Sequence, residues 1–396
     1  MICLYPSLRV LGVVLACTLV AKAAETSQPA TSPALRIVGG PYLQAPSPTS
    51  MTVVWTTNRP CVSKLQFGPS ANEMPNVATS AHHGLIDANT TLHRITVSGL
   101  SPGTTRHYRA VSTEIVEFNP YKVKYGPSVR SEGQFTTLDP KKETFSFCVL
   151  NDRHDRAPKL RQDLGAVKWE AVDLVFALGD VMNDPKNEPQ IFQNFINPCV
   201  EFFAGRIPLV FVRGNHETRG ALARNLIDYF PTESGRYYYS FDHGGVYFLL
   251  LDGGEDKGDD STEYSGLAAF EDYLKQETKW LDQELKSPAF LNARFRVCLL
   301  HIPPVAEVKD TKFIRAPWLR DNWSPRLSKA GIDLILCGHT HVYAELPPDV
   351  SRAYPIVVGG TDTVIRVDVS PERLQMTTFK DNGAVLSRPP EVRVKR

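Results

Sequence analysis

Residues 208–217, PLVFVRGNHE, place the tightest constraint on how this chain can fold. An apolar run rich in β-branched and aromatic residues ends in Gly214 and then in Asn215, His216 and Glu217. A run this apolar is a buried strand, and buried strands ordinarily stop in bland turn residues. A ligand-capable cluster fits instead the carboxyl end of a strand in an open α/β sheet, where such folds bind their ligands. Four other apolar runs in the same half of the chain end similarly. Asp152 and His154 follow FSFCVL, Asp180 follows LVFAL, His301 follows FRVCLL, and His339 and His341 follow IDLILC.

Six histidines lie beyond residue 140, and five of them belong to this set; only His243 stands apart. Imidazoles and carboxylates gathered at strand ends are metal chemistry, suited to Zn, Fe and Mn. The set exceeds the needs of one ion. With one carboxylate bridging, it divides into two sites, and two ions roughly 3.5–4 Å apart can clamp a phosphate and activate water.

A chain of 396 residues, 42% hydrophobic, can build two domains with their own cores. Lys and Arg (44) balance Asp and Glu (43), so no bulk charge argues for nucleic-acid binding. At the N-terminus, Arg9, an apolar stretch over residues 10–21 and Ala21-Lys22-Ala23 read as a signal peptide, residues 1–23. The stretch is shorter than the ~20 residues a spanning helix needs. The mature chain is therefore expected to be secreted or periplasmic, with no transmembrane span. Its five cysteines are Cys61, Cys148, Cys199, Cys298 and Cys337. The odd count, and the apolar settings of Cys148, Cys298 and Cys337, predict buried thiols rather than a disulfide framework.

A Pro-containing polar linker over residues 24–34 leads into short strands separated by turns (residues 35–138), the pattern of a β-sandwich of about 100 residues. A GLSPG turn ahead of Tyr108 resembles the tyrosine corner of fibronectin type III domains. From residue 143 strands alternate with helices, the signature of an α/β layer fold. The clearest helix spans residues 268–286, with Phe270, Tyr273, Leu274, Trp280, Leu281 and Leu285 at helical spacing. Strands over residues 355–358, 364–369 and 374–379 are expected to build a second sheet face to face with the first. This domain ends near residue 380, followed by an exposed tail, residues 381–396.

Asp-x-His, Gly-Asp, Gly-Asn-His-Glu, a lone His after a strand, and Gly-His-x-His, in that order, resemble the calcineurin-like metallophosphoesterases. The preceding GGPYLQAPSPTSMTVVWTT and GLSPGTTRHYRA are similar to the N-terminal domain of purple acid phosphatases. Together the resemblance covers nearly the whole chain after the signal. It implies a fibronectin type III-like all-β sandwich followed by an α/β metallophosphoesterase domain of two packed sheets flanked by helices. It implies two divalent or mixed-valence transition metal ions (Mn, Fe or Zn) and a phosphate ester substrate. Asp152, His154, Asp180 and His341 would hold the first ion. Asp180 would bridge, and Asn215, His301 and His339 would complete the second site. His216 would assist the leaving oxygen after attack by a metal-activated hydroxide, a role worth about 10²–10⁴-fold. Glu217 would orient a histidine.

Phosphomonoesters are the first expectation, nucleotide or lipid diesters the alternative, and a non-catalytic metallated binding protein the third reading. One departure matters. Purple acid phosphatases carry a metal-bound Tyr three residues after the Gly-Asp aspartate; here that position is Asn183, and His154 appears where purple enzymes usually have no histidine. A colourless enzyme follows, favouring Mn, Fe(II) or Zn over Fe(III). Arg153, Arg213, Arg219 and Tyr343 lie beside the motifs and, with Asn215, are candidate substrate contacts. The acidic insertion over residues 253–266 is expected to be a solvated loop, or a rim that repels polyanions.

Overall fold

Seven strands of the second half are buried at every residue or at all but one, because two sheets stack and helices or the first domain cover what remains. The structure, a computed structural model, describes residues 33–306, 308 and 317–394. The signal peptide and nearly all of the linker expected from the sequence lie outside the described residues. Contacts divide the chain into residues 1–34 and a larger unit from Leu35 onward, and apart from residues 33–34 the described residues belong to the larger unit.

The first domain is built on β1 (Ile37–Gln44), β2 (Met51–Gly68), β3 (Thr90–Val97), β4 (Thr105–Asn119) and β5 (Lys122–Thr136). Strand β2 is long enough to serve two sets of partners. Its first half pairs with β1 and β3, and its second half, after an irregularity between Thr56 and Cys61, pairs with β4. Both halves bury side chains in one core around Trp55, Leu65, Tyr108 and Phe135. Trp55 also donates its indole N–H to Ser112 at 2.8 Å.

Tyr108 departs from the expected tyrosine corner. Its hydroxyl donates to the Gly205 carbonyl of the second domain at 3.0 Å, not to the turn upstream. Tyr42 reaches Tyr229 (2.6 Å) and Gln44 reaches Leu209 (2.7 Å) across the same boundary. These bonds, two of them buried, tie the first domain to the second.

In the second domain, β6 (Phe145–Leu150), β7 (Val172–Leu178) and β8 (Leu209–Val212) run parallel. A second sheet contains β9 (Tyr239–His243), β10 (Val246–Leu251), β11 (Phe295–Leu300), β12 (Leu334–Cys337) and β13 (Ile356–Val358), all parallel from β10 onward. Strands β14 (Thr363–Val369) and β15 (Arg373–Lys380) return to the first sheet, β14 antiparallel beside β6 and β15 antiparallel beside β14. The expectation for the late strands therefore needs correcting: only Ile356–Val358 joins the second sheet. Periodicity marks a strand, but hydrogen-bond partners decide its sheet. The C-terminal tail is likewise not simply an exposed end, since Val385–Ser387 and Val392–Arg393 pair with β15.

Phe147, Phe176, Leu178 and Val212 of one sheet meet Phe248, Leu250, Leu299 and Leu336 of the other in a continuous core. That burial explains the uninterrupted apolar runs. The helix expected over residues 268–286 forms as Phe270–Glu284, with Leu274 and Leu281 against the second sheet. Asp259 caps it by accepting the N–H groups of Phe270 and Glu271 (2.8 and 3.0 Å). All five described cysteines are free and buried. No described helix is long and apolar enough to cross a membrane.

Candidate metal centre

Parallel strands point all their carboxyl ends the same way, so both sheets deliver their polar loops to one edge. There the backbone is forced into the left-handed region at six non-glycine residues: Asp152, His154, Asp155, Asp180, His339 and His341, with φ between 46° and 72°. Asp and Asn tolerate this conformation better than most side chains, but each residue so held still costs free energy. Such strain concentrated at one sheet edge is characteristic of binding sites. Gly179 is required here. At φ +73°, a Cβ on it would lie 2.5 Å from the Gly214 backbone and 2.7 Å from His301.

The ligand-type side chains form two groups sharing Asp180. Asp152, His154, Asp180 and His341 make one, and Asp180, His301 and His339 the other, each set lying within 4.8 Å. His154 Nε2 is 2.9 Å from His341 Nε2, and Asp152 Oδ1 is 3.8 and 3.5 Å from these two nitrogens. His301 Nε2 lies 3.1 Å from Asp180 Oδ2, and Asn215 Oδ1 is 3.0 Å from His339 Nδ1. All seven candidate metal ligands are thus brought together.

Two observations test whether metal ions fit. Asp152 Oδ2 is held by the His339 N–H (2.9 Å) and by the Asn151 amide, whereas buried Asp152 Oδ1, facing the histidines, has no hydrogen-bond partner. His301 Nδ1 donates to the Leu178 carbonyl at 2.6 Å, so its buried Nε2 is the nitrogen turned inward to the cluster, 3.1 Å from Asp180 Oδ2. A backbone carbonyl fixing the tautomer from behind is how ligating histidines are oriented. Burial opposes the charged form of His301, but the Asp180 carboxylate outweighs it and pushes the imidazole up to about 10. Burial likewise opposes the Asp180 carboxylate, yet His301 holds it below the usual range. The oxygens and nitrogens suit transition metals. The donor set fits two ions.

His216 sits over this cluster, its ring 4.8 Å from that of His154. Its N–H binds Asp180 Oδ1 (2.9 Å), and its Nδ1 donates to the Asn183 carbonyl (2.6 Å). The working nitrogen is therefore Nε2, 3.9 Å from Asp180 Oδ2 and 3.3 Å from Arg219.

The candidate substrate contacts divide. Arg219 stays beside His216 while pairing with Glu255 and Asp256. Arg153 is a correction: it is 1% exposed, bonded to Asp163 and to the carbonyls of Thr361 and Thr363, and faces away from the site. Arg213 is likewise committed, to Asp252 and to the face of Tyr237. Tyr343 points its hydroxyl to Glu345 and Thr378, packed against the inter-sheet core. Glu217 orients backbone, not a histidine. Its carboxylate accepts the N–H groups of Asp180 (2.7 Å), Gly214 (2.9 Å) and Met182 (3.1 Å), tying the loops after β7 and β8 together. In the acidic insertion Asp256 pairs with Arg219 and Lys257 and Asp259 caps a helix, while Asp260 stays exposed. Sequence reasoning missed Asp155, Asp163 and Glu255, whose roles depend on partners far along the chain.

A carboxylate shared by two imidazole–carboxylate clusters, at the common edge of two stacked sheets, defines the dinuclear metallophosphoesterase class. Comparison with known proteins agrees. Residues 145–343 match the calcineurin-like phosphoesterase family, so the chain belongs to it, and residues 40–137 match the purple acid phosphatase N-terminal domain. Serine/threonine-protein phosphatase CPPED1 of Mus musculus is 29% identical over 170 residues, covering 41% of this chain and 52% of that protein. The chain thus spans about half the length of these CPPED1 relatives. Acid phosphatase type 7 of Mus musculus is 24% identical over 334 residues, covering 76% of this chain and 68% of that protein. The purple acid phosphatase PPD1 from yellow lupin (Lupinus luteus) seeds shares the fold, with a TM-score of 0.65 at 16% identity over 88% of this chain and 73% of that one.

Proposed function

We propose that this protein is an exported phosphatase that hydrolyses phosphomonoesters. The observation that carries the reading is His216: its backbone is tied to the shared Asp180, its Nδ1 is tied back to Asn183, and Nε2 is turned to the cluster. Asp152, His154, Asp180 and His341 would hold one ion, and Asp180, Asn215, His301 and His339 the other. Bound there, two ions neutralise charge on a phosphoryl group and acidify water. This chain's part is to place a proton donor on the departing oxygen through His216 Nε2, with Arg219 beside it. The purple acid phosphatase-type N-terminal domain and the acid phosphatase type 7 relative support a monoester substrate. Asn183, whose amide turns to the His154 carbonyl at 3.3 Å, supplies no phenolate, which supports a colourless site of Mn, Fe(II) or Zn.

The substrate class is tested by a paired assay on Mn-reconstituted mature protein, an aryl phosphate monoester against the matching bis-aryl diester, and the role of His216 by turnover of an alkyl phosphate monoester in His216→Ala. A monoester preference is expected, together with a large loss on the alkyl ester in the variant. A diester preference would overturn the substrate assignment, and alkyl-ester turnover undiminished in the variant would overturn the role of His216.

A further inference from the structure

The carbonyl that aims His216 is itself held from behind. Asn183 lies in the loop after β7 with its side chain exposed, the amide reaching the His154 carbonyl only at 3.3 Å. Yet the Asn183 N–H donates to Asp155 Oδ2 at 3.0 Å. The same carboxylate accepts Gln190 Nε2 (2.9 Å to Oδ2) and Asn194 Nδ2 (3.1 Å to Oδ1), both from the segment before Asn197–Phe202. Gln190 Nε2 also donates to the Asp184 carbonyl at 2.9 Å. The backbone is therefore pinned on either side of the one carbonyl that His216 Nδ1 uses. Asp155 holds this place at φ +60°, directly after His154.

We propose that Asp155 is a positioning residue for the leaving-group step. Anchored by Gln190 and Asn194, it fixes the Asn183 carbonyl and so keeps His216 Nε2 on the departing oxygen. This rests on the reading of His216 given above. A misaimed proton donor harms a poor leaving group, which needs the proton, and barely affects a good one, which departs without it. Since a general acid is worth about 10²–10⁴-fold, partial misalignment should remove about tenfold from a substrate that needs it.

The experiment uses the full mature chain loaded with Mn, comparing p-nitrophenyl phosphate with glycerol 2-phosphate in Asp155→Asn. Asparagine keeps the size and tolerates the left-handed backbone, but it presents a donor where one of three donors now finds an acceptor. Expected are a fall of about tenfold in kcat on the alkyl ester, less than about threefold on the aryl ester, and unchanged metal content and KM. Gln190→Leu, on a half-buried side chain, should show the same pattern at smaller amplitude, and it decides the matter if Asp155→Asn folds poorly or loses metal. Equal losses on both esters, or none, would overturn the positioning role. His216→Ala separates the two failures: if that variant does not discriminate between the esters, the function of His216 falls and the proposal falls with it.

Discussion

Asp163→Ala distinguishes a structural Arg153 from a substrate-binding one. The Arg153 and Asp163 side chains are each 1% exposed and paired to one another. Arg153 also donates to Thr361 and Thr363, both at 2.6 Å, so without Asp163 it would keep two carbonyl acceptors but have no paired counter-charge. Removing one partner of a buried ion pair costs about 3–5 kcal/mol. Lys159, also on Asp163 at 2.9 Å, adds little, because it keeps Asp381 at 2.7 Å. An unfolding entropy of about 2.1 cal/mol/K per residue gives roughly 0.76 kcal/mol/K for the chain from Leu35 onward, and hence a drop in Tm of about 4–7 °C. Thermal unfolding followed by tryptophan fluorescence reads this shift, and aryl phosphate kinetics on the folded fraction should show KM within about twofold of wild type. A Tm within about 1 °C of wild type, or a tenfold rise in KM at unchanged Tm, would refute the reasoning.

Burial lowers the His93 imidazole from 6.5 to about 4, where Thr57 (2.9 Å) and Ser63 (3.0 Å) hold its two nitrogens. The unfolded chain takes the proton near pH 6.5 and the folded state does not, so stability is unaffected above that pH and falls by up to about 3 kcal/mol as pH drops towards 4. His93→Gln should flatten urea-midpoint curves over that window, and an unchanged slope would count against it. Gly179→Ala forces a Cβ to 2.5 Å from the Gly214 backbone, so a loss of roughly 2 kcal/mol or more is expected, with lower retained metal by elemental analysis. Full stability and metal content in that variant would sink the close-approach argument. Chelation should lower Tm reversibly, since ions at about 100 times Kd stabilise by about 2.7 kcal/mol; a Tm indifferent to chelator would remove the metal from the account.

The strand-terminal motifs were legible because each ligand stands within a few residues of the apolar strand that places it. Asp152, Asp180, Asn215, His301 and His339 needed no tertiary information beyond the rule that parallel strands present their carboxyl ends together. The arginines were not legible. Arg153 and Arg213 stand in the same motifs, and nothing local distinguishes a phosphate contact from one arm of a buried pair. Their partners, Asp163 on a helix and Asp252 after β10, are fixed by packing. Tyr108 fails the same way: its turn has the right sequence, but a second domain brings the Gly205 carbonyl within reach. Strand membership was open too, because a buried strand reads the same in either sheet.

The ligand set also couples the site to the stacking of the sheets. Asp152, His154, Asp180 and Asn215 leave the first sheet, whereas His301, His339 and His341 leave the second. Neither sheet carries a complete group, so the site exists only while the core around Phe147, Phe176 and Phe248 holds the two faces in register. Direct bonds already cross the divide at the site edge: the His339 N–H to Asp152, and His301 Nδ1 to the Leu178 carbonyl. A close-packed interior changes between discrete arrangements rather than bending continuously. Small shifts of one sheet are therefore resisted by the core before they reach the ligands. The left-handed backbone at Asp152, Asp180 and His339 can be sustained because those two faces over-determine it from both sides.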